Sequence, residues 1–311
     1  MKNAFRILSP GPCTTVQDLG RFGAYHMGVP VSGVLDDYAG RIANWLVGNS
    51  SNCALLEMTM IGAEIEFLTE VDIAITGAAM NPQINGQPCR QWTSIRLQSG
   101  DVLHLGAAEN GCRTYLAITG GVEVPVVLGS RSTYLGGLLG GLDGRVVVAG
   151  DILKRGAGPL LRTPKSLPWY PLYPENICLR AIAGPHNGYF RDHLQHFFKA
   201  TFEVTADCNR MGVRLAGPTI DRDTTAPESI LSEPIVPGNV QMPASGQPIV
   251  LMKEQTIGGY TNIATVISSD IWRLGQAKPD DTIRFVQISL EEAHLLYREW
   301  AGFLDAAKSF L

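Results

Sequence analysis

Glycine and proline interrupt this chain too often for long strands or many long helices. Its 311 residues include 34 glycines and 19 prolines, and few stretches between them carry a helical apolar stripe. Short β runs closed by tight turns are what such punctuation permits, so the sequence reads as a mainly β, turn-rich protein. The pattern is clearest in residues 229–269. There Pro234, Pro237, Gly238, Pro243, Gly246, Pro248, Gly258 and Gly259 set off two β-type runs, 249–252 and 263–267. Polar side chains crowd the joints: Glu233, Asn239, Gln241, Gln247, Lys253, Glu254, Gln255, Thr256 and Tyr260. Side chains at strand ends and tight loops can converge on a small molecule while the sheet holds them still. The competing reading is an edge strand with solvated polar positions.

Length allows about two domains. Hydrophobic content of 45% against 17% charged favours a well-buried globular protein over disorder. The net charge is −4; with no basic patch, neither nucleic acid nor an anionic membrane is an expected partner. No apolar run approaches the ~18 residues of a membrane span. Residues 1–12 carry Lys2 and Arg6 but no apolar leader core. The expectation is a cytoplasmic protein with reduced thiols. Its six cysteines are scattered, with no C-x-x-C pair, so a zinc ribbon or redox pair is unsupported.

Taken in order, Gln17, Asp18 and Arg21 sit in a short polar stretch flanked by Gly20 and Gly23. Two readings stay open there: residues lining a cleft, or an Asx-type turn in which Asp18 caps the backbone. Leu35, Ala39, Ile42 and Leu46 predict a helix over 35–47, started by Asp36 or Asp37 and ended at Gly48-Asn49. Val71, Ile73 and Ile75 alternate as a strand does, and Asn85-Gly86 predicts a two-residue hairpin. Residues 136–141 are rich in glycine but match neither G-x-x-x-x-G-K-[ST] nor G-x-G-x-x-G, which points to a crossover rather than a phosphate loop. Prolines at 159, 164, 168, 171 and 174 mark a boundary between domains 1–165 and 175–311.

Asn187 is placed to cap a helix carrying Phe190, Leu194 and Phe197, with His193 and His196 at i, i+3 on it. No third ligand stands at helical spacing, so the expectation is no metal. Gly100-Asp101, Gly150-Asp151 and Asp280-Asp281 each precede a β run, a weak internal echo that fits tandem barrels. Ser289 and Glu292 form a capping box before a closing helix with Ala293, Tyr297, Trp300, Leu304 and Ala307 on one stripe.

No nucleophile, zincin or kinase motif appears. The positive signal is convergent polar chemistry. Arg210, within Asn209-Arg210-Met211-Gly212, offers a fork suited to a carboxylate or carbonate. Its alternative is a structural ion pair with Glu233 or Asp207. Gln241, Gln247 and Gln255 supply amides that donate and accept, while Glu233 and Glu254 can take a proton or hold an ammonium or ureido group. The candidate catalytic residues are Arg210, Glu233, Glu254 and Gln255. The candidate substrate-binding residues are Gln17, Arg21, Asn209, Gln241, Gln247, Thr256 and Tyr260.

Residues 14–21 (TTVQDLGR), 33–49 (GVLDDYAGRIANWLVGN), 114–133 (TYLAITGGVEVPVVLGSRST), 209–215 (NRMGVRL), 232–267 and 289–293 (SLEEA) resemble the biotin-dependent carboxyltransferase family. Its members include the allophanate-hydrolase-subunit-2-like region of urea carboxylase and the stand-alone C component of prokaryotic 5-oxoprolinase; the latter has a similar length. The resemblance implies tandem cyclophilin-like β barrels with a few short helices and a C-terminal helix. It implies two partners, a B component of related cyclophilin-like fold and an A component of 5-oxoprolinase. With them it implies ATP-dependent opening of 5-oxoproline to L-glutamate, with ATP bound by or shared with those partners. No covalent biotin is expected on this chain, since Lys253 is followed by Glu254 where a biotinyl-lysine hairpin has methionine. Two alternatives remain within the resemblance: the carboxyltransferase component of a biotin-dependent urea carboxylase-like system, and a non-catalytic regulatory binding module.

Overall fold

The computed structural model of the chain describes residues 2–191, 193–224, 226–227 and 229–311. The chain divides into two compact units. Unit 1 comprises Met1–Ala24, Val31–Tyr173 and Leu304–Leu311; unit 2 comprises Tyr25–Pro30 and Pro174–Phe303. The main change of unit falls at the end of the proline-rich stretch. Residues 25–30 and 304–311 cross over to the other unit, which a division at 165–175 does not contain.

Unit 1 carries strands β1 (Lys2–Ser9), β2 (Thr14–Gln17), β3 (Leu55–Thr59), β4 (Glu64–Phe67), β5 (Val71–Gly77) and β6 (Gln83–Ile84). It continues with β7 (Gln87–Pro88), β8 (Ser94–Leu97), β9 (Val102–His104), β10 (Arg113–Ile118), β11 (Val122–Glu123) and β12 (Ile152–Arg155). Among the described residues they form one sheet ordered β11-β12-β1-β4-β9-β6-β7 and a second ordered β2-β3-β10-β5-β8. One apolar core joins the two: Phe5, Ile65, Phe67 and Leu153 from the first meet Leu56, Ile73, Ile75 and Leu116 from the second. The Asn85-Gly86 turn between β6 and β7 has φ of 51° and 78° at its two central residues, as a tight hairpin requires. Helix α1 (Asp37–Leu46) is capped by Asp36, whose Oδ1 accepts from Ala39 N at 2.9 Å. Its apolar stripe packs on β5 and β10.

Unit 2 carries β13 (Asn176–Ala183), α2 (Leu194–Lys199), β14 (Thr201–Cys208), β15 (Gly212–Ala216), β16 (Glu233–Pro234), β17 (Asn239–Met242) and β18 (Ile249–Leu251). Then follow β19 (Ile257–Gly258), β20 (Thr261–Val266), α3 (Ile271–Leu274), β21 (Thr282–Gln287) and α4 (Leu290–Phe310), whose residues from Leu304 on belong to unit 1. The strands close into a barrel in the order β13-β20-β17-β18-β15-β14-β21, and β16 pairs with β19 as a separate ribbon. The mainly β architecture, with few helices and a helix at its end, is therefore as expected. At the barrel strands β14 and β21, Phe285 stacks on Phe197 of α2 and Phe202 packs against it at a tilt. The capping box holds: Ser289 N donates to Glu292 Oε2 at 2.7 Å and Glu292 N to Ser289 Oγ at 3.1 Å. Asn187 instead turns back to Gly184 O, and a 3₁₀ turn (Asn187–Phe190) precedes α2. No helix among the described residues is long and apolar enough to cross a membrane.

The acidic echo is one turn used three times. The carboxylates of Asp101, Asp151 and Asp281 accept from Gln98 N, Val148 N and Lys278 N at 2.7, 2.8 and 3.0 Å. Each Asp N–H returns to the carbonyl of that same residue. The residue before the Asp has positive φ each time: Gly100 at 96°, Gly150 at 91° and Asp280 at 72°. Only Asp280 bears a side chain there. A left-handed residue with a Cβ costs about 1–2 kcal/mol, and glycine loses part of that gain through its freer unfolded chain. Asp280→Gly should therefore stabilise the protein by about 0.5–1 kcal/mol, raising Tm by ~1–4 °C in calorimetry. A lower Tm would mean that the Asp280 side chain contributes more than the turn does.

Candidate functional site

A β-bulge builds the polar patch of unit 2. Along β17 and β20, Val240 pairs with Ala264 and Gln241 pairs with Asn262, so Ile263 is the extra residue. Val240 also pairs with Val250, and Gln241 with Ile249. Ile249 and Leu251 cluster with Ile235, beside the β16–β19 ribbon. Gln241 thus lies on the ribbon side of the barrel wall, and the bulge turns Asn262 to the same side, as bulges commonly re-aim a side chain. β16 and β19 close over them, pairing Glu233 with Gly258. A Cβ on Gly258 would overlap the Gln241 amide, so a side chain there would require that amide to move.

Three polar contacts organise the patch. Asn262 Nδ2 donates to Glu233 Oε1 at 2.8 Å. Asn262 N donates to His186 Nδ1 at 3.1 Å, and His186 N donates to Asn262 O at 3.1 Å. An Nδ1 that accepts leaves the imidazole proton on Nε2. The 3.9 Å approach of Glu233 Oε1 to that nitrogen is accordingly not an ion pair. The His186 ring stacks on Tyr189, 5.9 Å between centroids. Gln241 and Asn262 are buried, whereas the Glu233 side chain is about one-third exposed at 36%. The arrangement offers the Asn262 amide, held by Glu233, and the buried Gln241 amide beside a carboxylate, the kinds of group that grip and polarise an amide or ureide.

The other predicted residues fall elsewhere or are otherwise engaged. Arg210 and Glu254 hold each other: Nε donates to Oε1 at 2.5 Å, with both residues buried. Glu254 N also donates to Arg210 O. The ion-pair reading of Arg210 is the one the geometry favours, with Glu254 as partner in place of Glu233 or Asp207. Asn209 accepts from Met211 N and Gly212 N and forms the turn into β15. Gln247 exchanges two hydrogen bonds with the Gly217 backbone, at the far end of the β15–β18 ladder from Arg210. Thr256 contributes its carbonyl to Ile235 N, Gln255 is half-buried, and Tyr260 is exposed.

Gln17 and Arg21 belong to unit 1 and are wholly buried. Gln17 bonds Thr15 Oγ1, Thr133 O and Gly33 N. Arg21 donates to Val127 O at 3.0 Å and Ser132 O at 2.8 Å. Asp18 accepts from Gly20 N, Ser130 Oγ, Ser132 Oγ and Arg131 N. Of the two readings of this stretch, the structure takes the capping turn. The glycine-rich crossover follows from it, since a Cβ at Gly140 would collide with Ser132 O and the Arg21 guanidinium.

Sequence reasoning missed Asn262 and His186. The signal for Asn262 was an amide inside an otherwise β-branched and apolar run, Thr-Asn-Ile-Ala-Thr-Val. It also missed a cavity of about 710 Å³ in unit 1, lined by Arg90, Trp92, Asn110, Tyr170 and Tyr173 among others. Trp92 stacks on Tyr170 there, 5.2 Å apart and 4° from parallel. Tyr173 donates to Asp36 Oδ2 at 2.8 Å; burial first, and then the Asp36 charge, push its phenol well above the usual range. The predicted residues do not line this cavity. His193 and His196 have ring centroids 6.2 Å apart, and no group of three metal-ligating side chains occurs among the described residues.

The chain belongs to the carboxyltransferase family: residues 27–287 match the family model for the carboxyltransferase domain, subdomain A and B. It is 40% identical to the C component of the 5-oxoprolinase of Escherichia coli K12, over 93% of this chain and 92% of that one. It is 34% identical to the corresponding C component from Haemophilus influenzae, over 94% and 93%. The crystal structure of the K. lactis urea amidolyase superposes with a TM-score of 0.92 at 32% identity, covering 99% of this chain but 20% of that one.

Proposed function

We propose that this chain is the C component of a multi-protein 5-oxoprolinase. With a B component of related fold and an A component, it opens 5-oxoproline to L-glutamate at the expense of ATP. The observation that carries this reading is the end-to-end match to a stand-alone relative, 40% identical over 92% of that protein. The nucleotide contacts the partners or a site shared with them, and this chain carries no biotin. Its own contribution is the unit 2 patch: the Gln241 amide N–H, directed at the lactam oxygen, stabilises the charge that develops there as the ring opens, one such donor being worth ~3 kcal/mol.

A second reading has its own support in the 0.92 TM-score to a urea amidolyase over 99% of this chain. In that case the same patch serves carboxyl transfer from carboxybiotin to urea. Reconstitution separates the two. This chain, purified together with its A and B partners, ATP and 5-oxoproline, should release glutamate, and omission of any one should stop it. Glutamate release that persists without this chain would reduce it to a regulatory module. Carboxylation of urea supported by a biotinylated carrier, with no glutamate formed, would move it to the second reading.

A further inference from the structure

Two polar atoms of the unit 2 patch are shut off from solvent and have no hydrogen-bond partner among the described residues: Gln241 Nε2 and Asn262 Oδ1. Gln241 is 4% exposed and Asn262 2%. Buried polar atoms left so are uncommon in native folds. Here one is a donor and the other an acceptor, and they belong to register partners turned to one side by the Ile263 bulge. We propose that Gln241 Nε2 and Asn262 Oδ1 together read the cis N–H/C=O edge of a cyclic amide or urea. Nε2–H donates to the ligand carbonyl, and the ligand N–H donates to Oδ1. The lactam as ligand rests on the 5-oxoprolinase role proposed above; the edge itself is common to lactams and urea.

Glu233 is the positioning residue. By accepting from Asn262 Nδ2 it fixes which end of that amide faces the edge, since a flipped amide would set oxygen against carboxylate. The cover over the pair is slight. It consists of Glu233–Pro234 against Ile257–Gly258, flanked by Ile235 N to Thr256 O and Ile230 N to Gly259 O. A ligand gains the pair by lifting this ribbon off the Gln241 amide.

The test is a calorimetric or NMR titration of the full-length chain with four probes. 2-Pyrrolidinone carries the cis edge, N-methyl-2-pyrrolidinone lacks the N–H, and N-methylacetamide presents it trans; Gln241→Met and Gln241→Glu are titrated alongside the native chain, and urea is the fourth probe. The native chain should prefer 2-pyrrolidinone over the N-methyl and trans amides by about 10- to 100-fold. Both variants should lose that preference, while Gln241→Met melts no lower than the native chain because it removes an unpaired buried donor. Equal affinity for the N-methyl lactam, or an unchanged preference in both variants, overturns the assignment. Titration with 5-oxoproline separates it from the 5-oxoprolinase role: binding of urea but not 5-oxoproline keeps the edge-reading pair and ends the oxoprolinase reading. Undiminished glutamate release by a reconstituted set carrying Gln241→Met does the reverse.

Discussion

Glu254→Ala should lower the unfolding free energy by about 3–5 kcal/mol, the usual loss when one partner of a buried pair is removed. The Arg210 guanidinium, on a residue only 8% exposed, would stay buried without the carboxylate that its Nε meets at 2.5 Å. Taking away both charges is a different matter. Arg210→Met with Glu254→Leu removes two desolvated ions and keeps volume in place, so the double variant should lie within ~1 kcal/mol of the native protein or above it. Urea unfolding with an unchanged m value reads both outcomes. Turnover must then be compared at equal folded fraction. Full stability in Glu254→Ala with turnover abolished would return Glu254 to the acid–base role that its sequence context suggests.

Arg21→Met is the second large effect, an expected loss of about 2–5 kcal/mol. The guanidinium is wholly buried and donates to two backbone carbonyls, Val127 O and Ser132 O. Ser132 O left unmet costs about 1–3 kcal/mol, whereas Val127 O keeps its bond from Ser130 N; lost packing of the buried Arg21 stem adds to that. The melting temperature should fall by ~5–15 °C, and the folded fraction should still bind 2-pyrrolidinone, because the proposed edge-reading pair belongs wholly to unit 2. Native-like stability combined with lost lactam binding would instead make Arg21 a substrate ligand.

What was legible in the sequence was local. Asp36 before an apolar stripe, Asn85-Gly86, Ser289 with Glu292, and the three acidic turns each close within a few residues, so spacing alone reveals them. The crowding of amides and acids in residues 229–269 was also visible. Their partners were not. Arg210 finds Glu254 across 44 positions and Asn262 finds Glu233 across 29, through barrel pairing that no short window contains. Asn262 faces the patch only because one residue bulges out of β20. Gln247 has the same composition signal as Gln241, yet its amide is closed on the Gly217 backbone while Gln241 Nε2 is left open. Residue type marks a candidate; register decides which way it points.

The most direct measurement is a crystal structure of the chain, within its assembly, grown with 5-oxoproline. Lactam density should bridge Gln241 Nε2 and Asn262 Oδ1, with the ribbon of Glu233–Pro234 and Ile257–Gly258 displaced from its present position. Density lodged instead between Trp92, Arg90 and Tyr173 in the unit 1 cavity, with that ribbon unmoved, would contradict that placement.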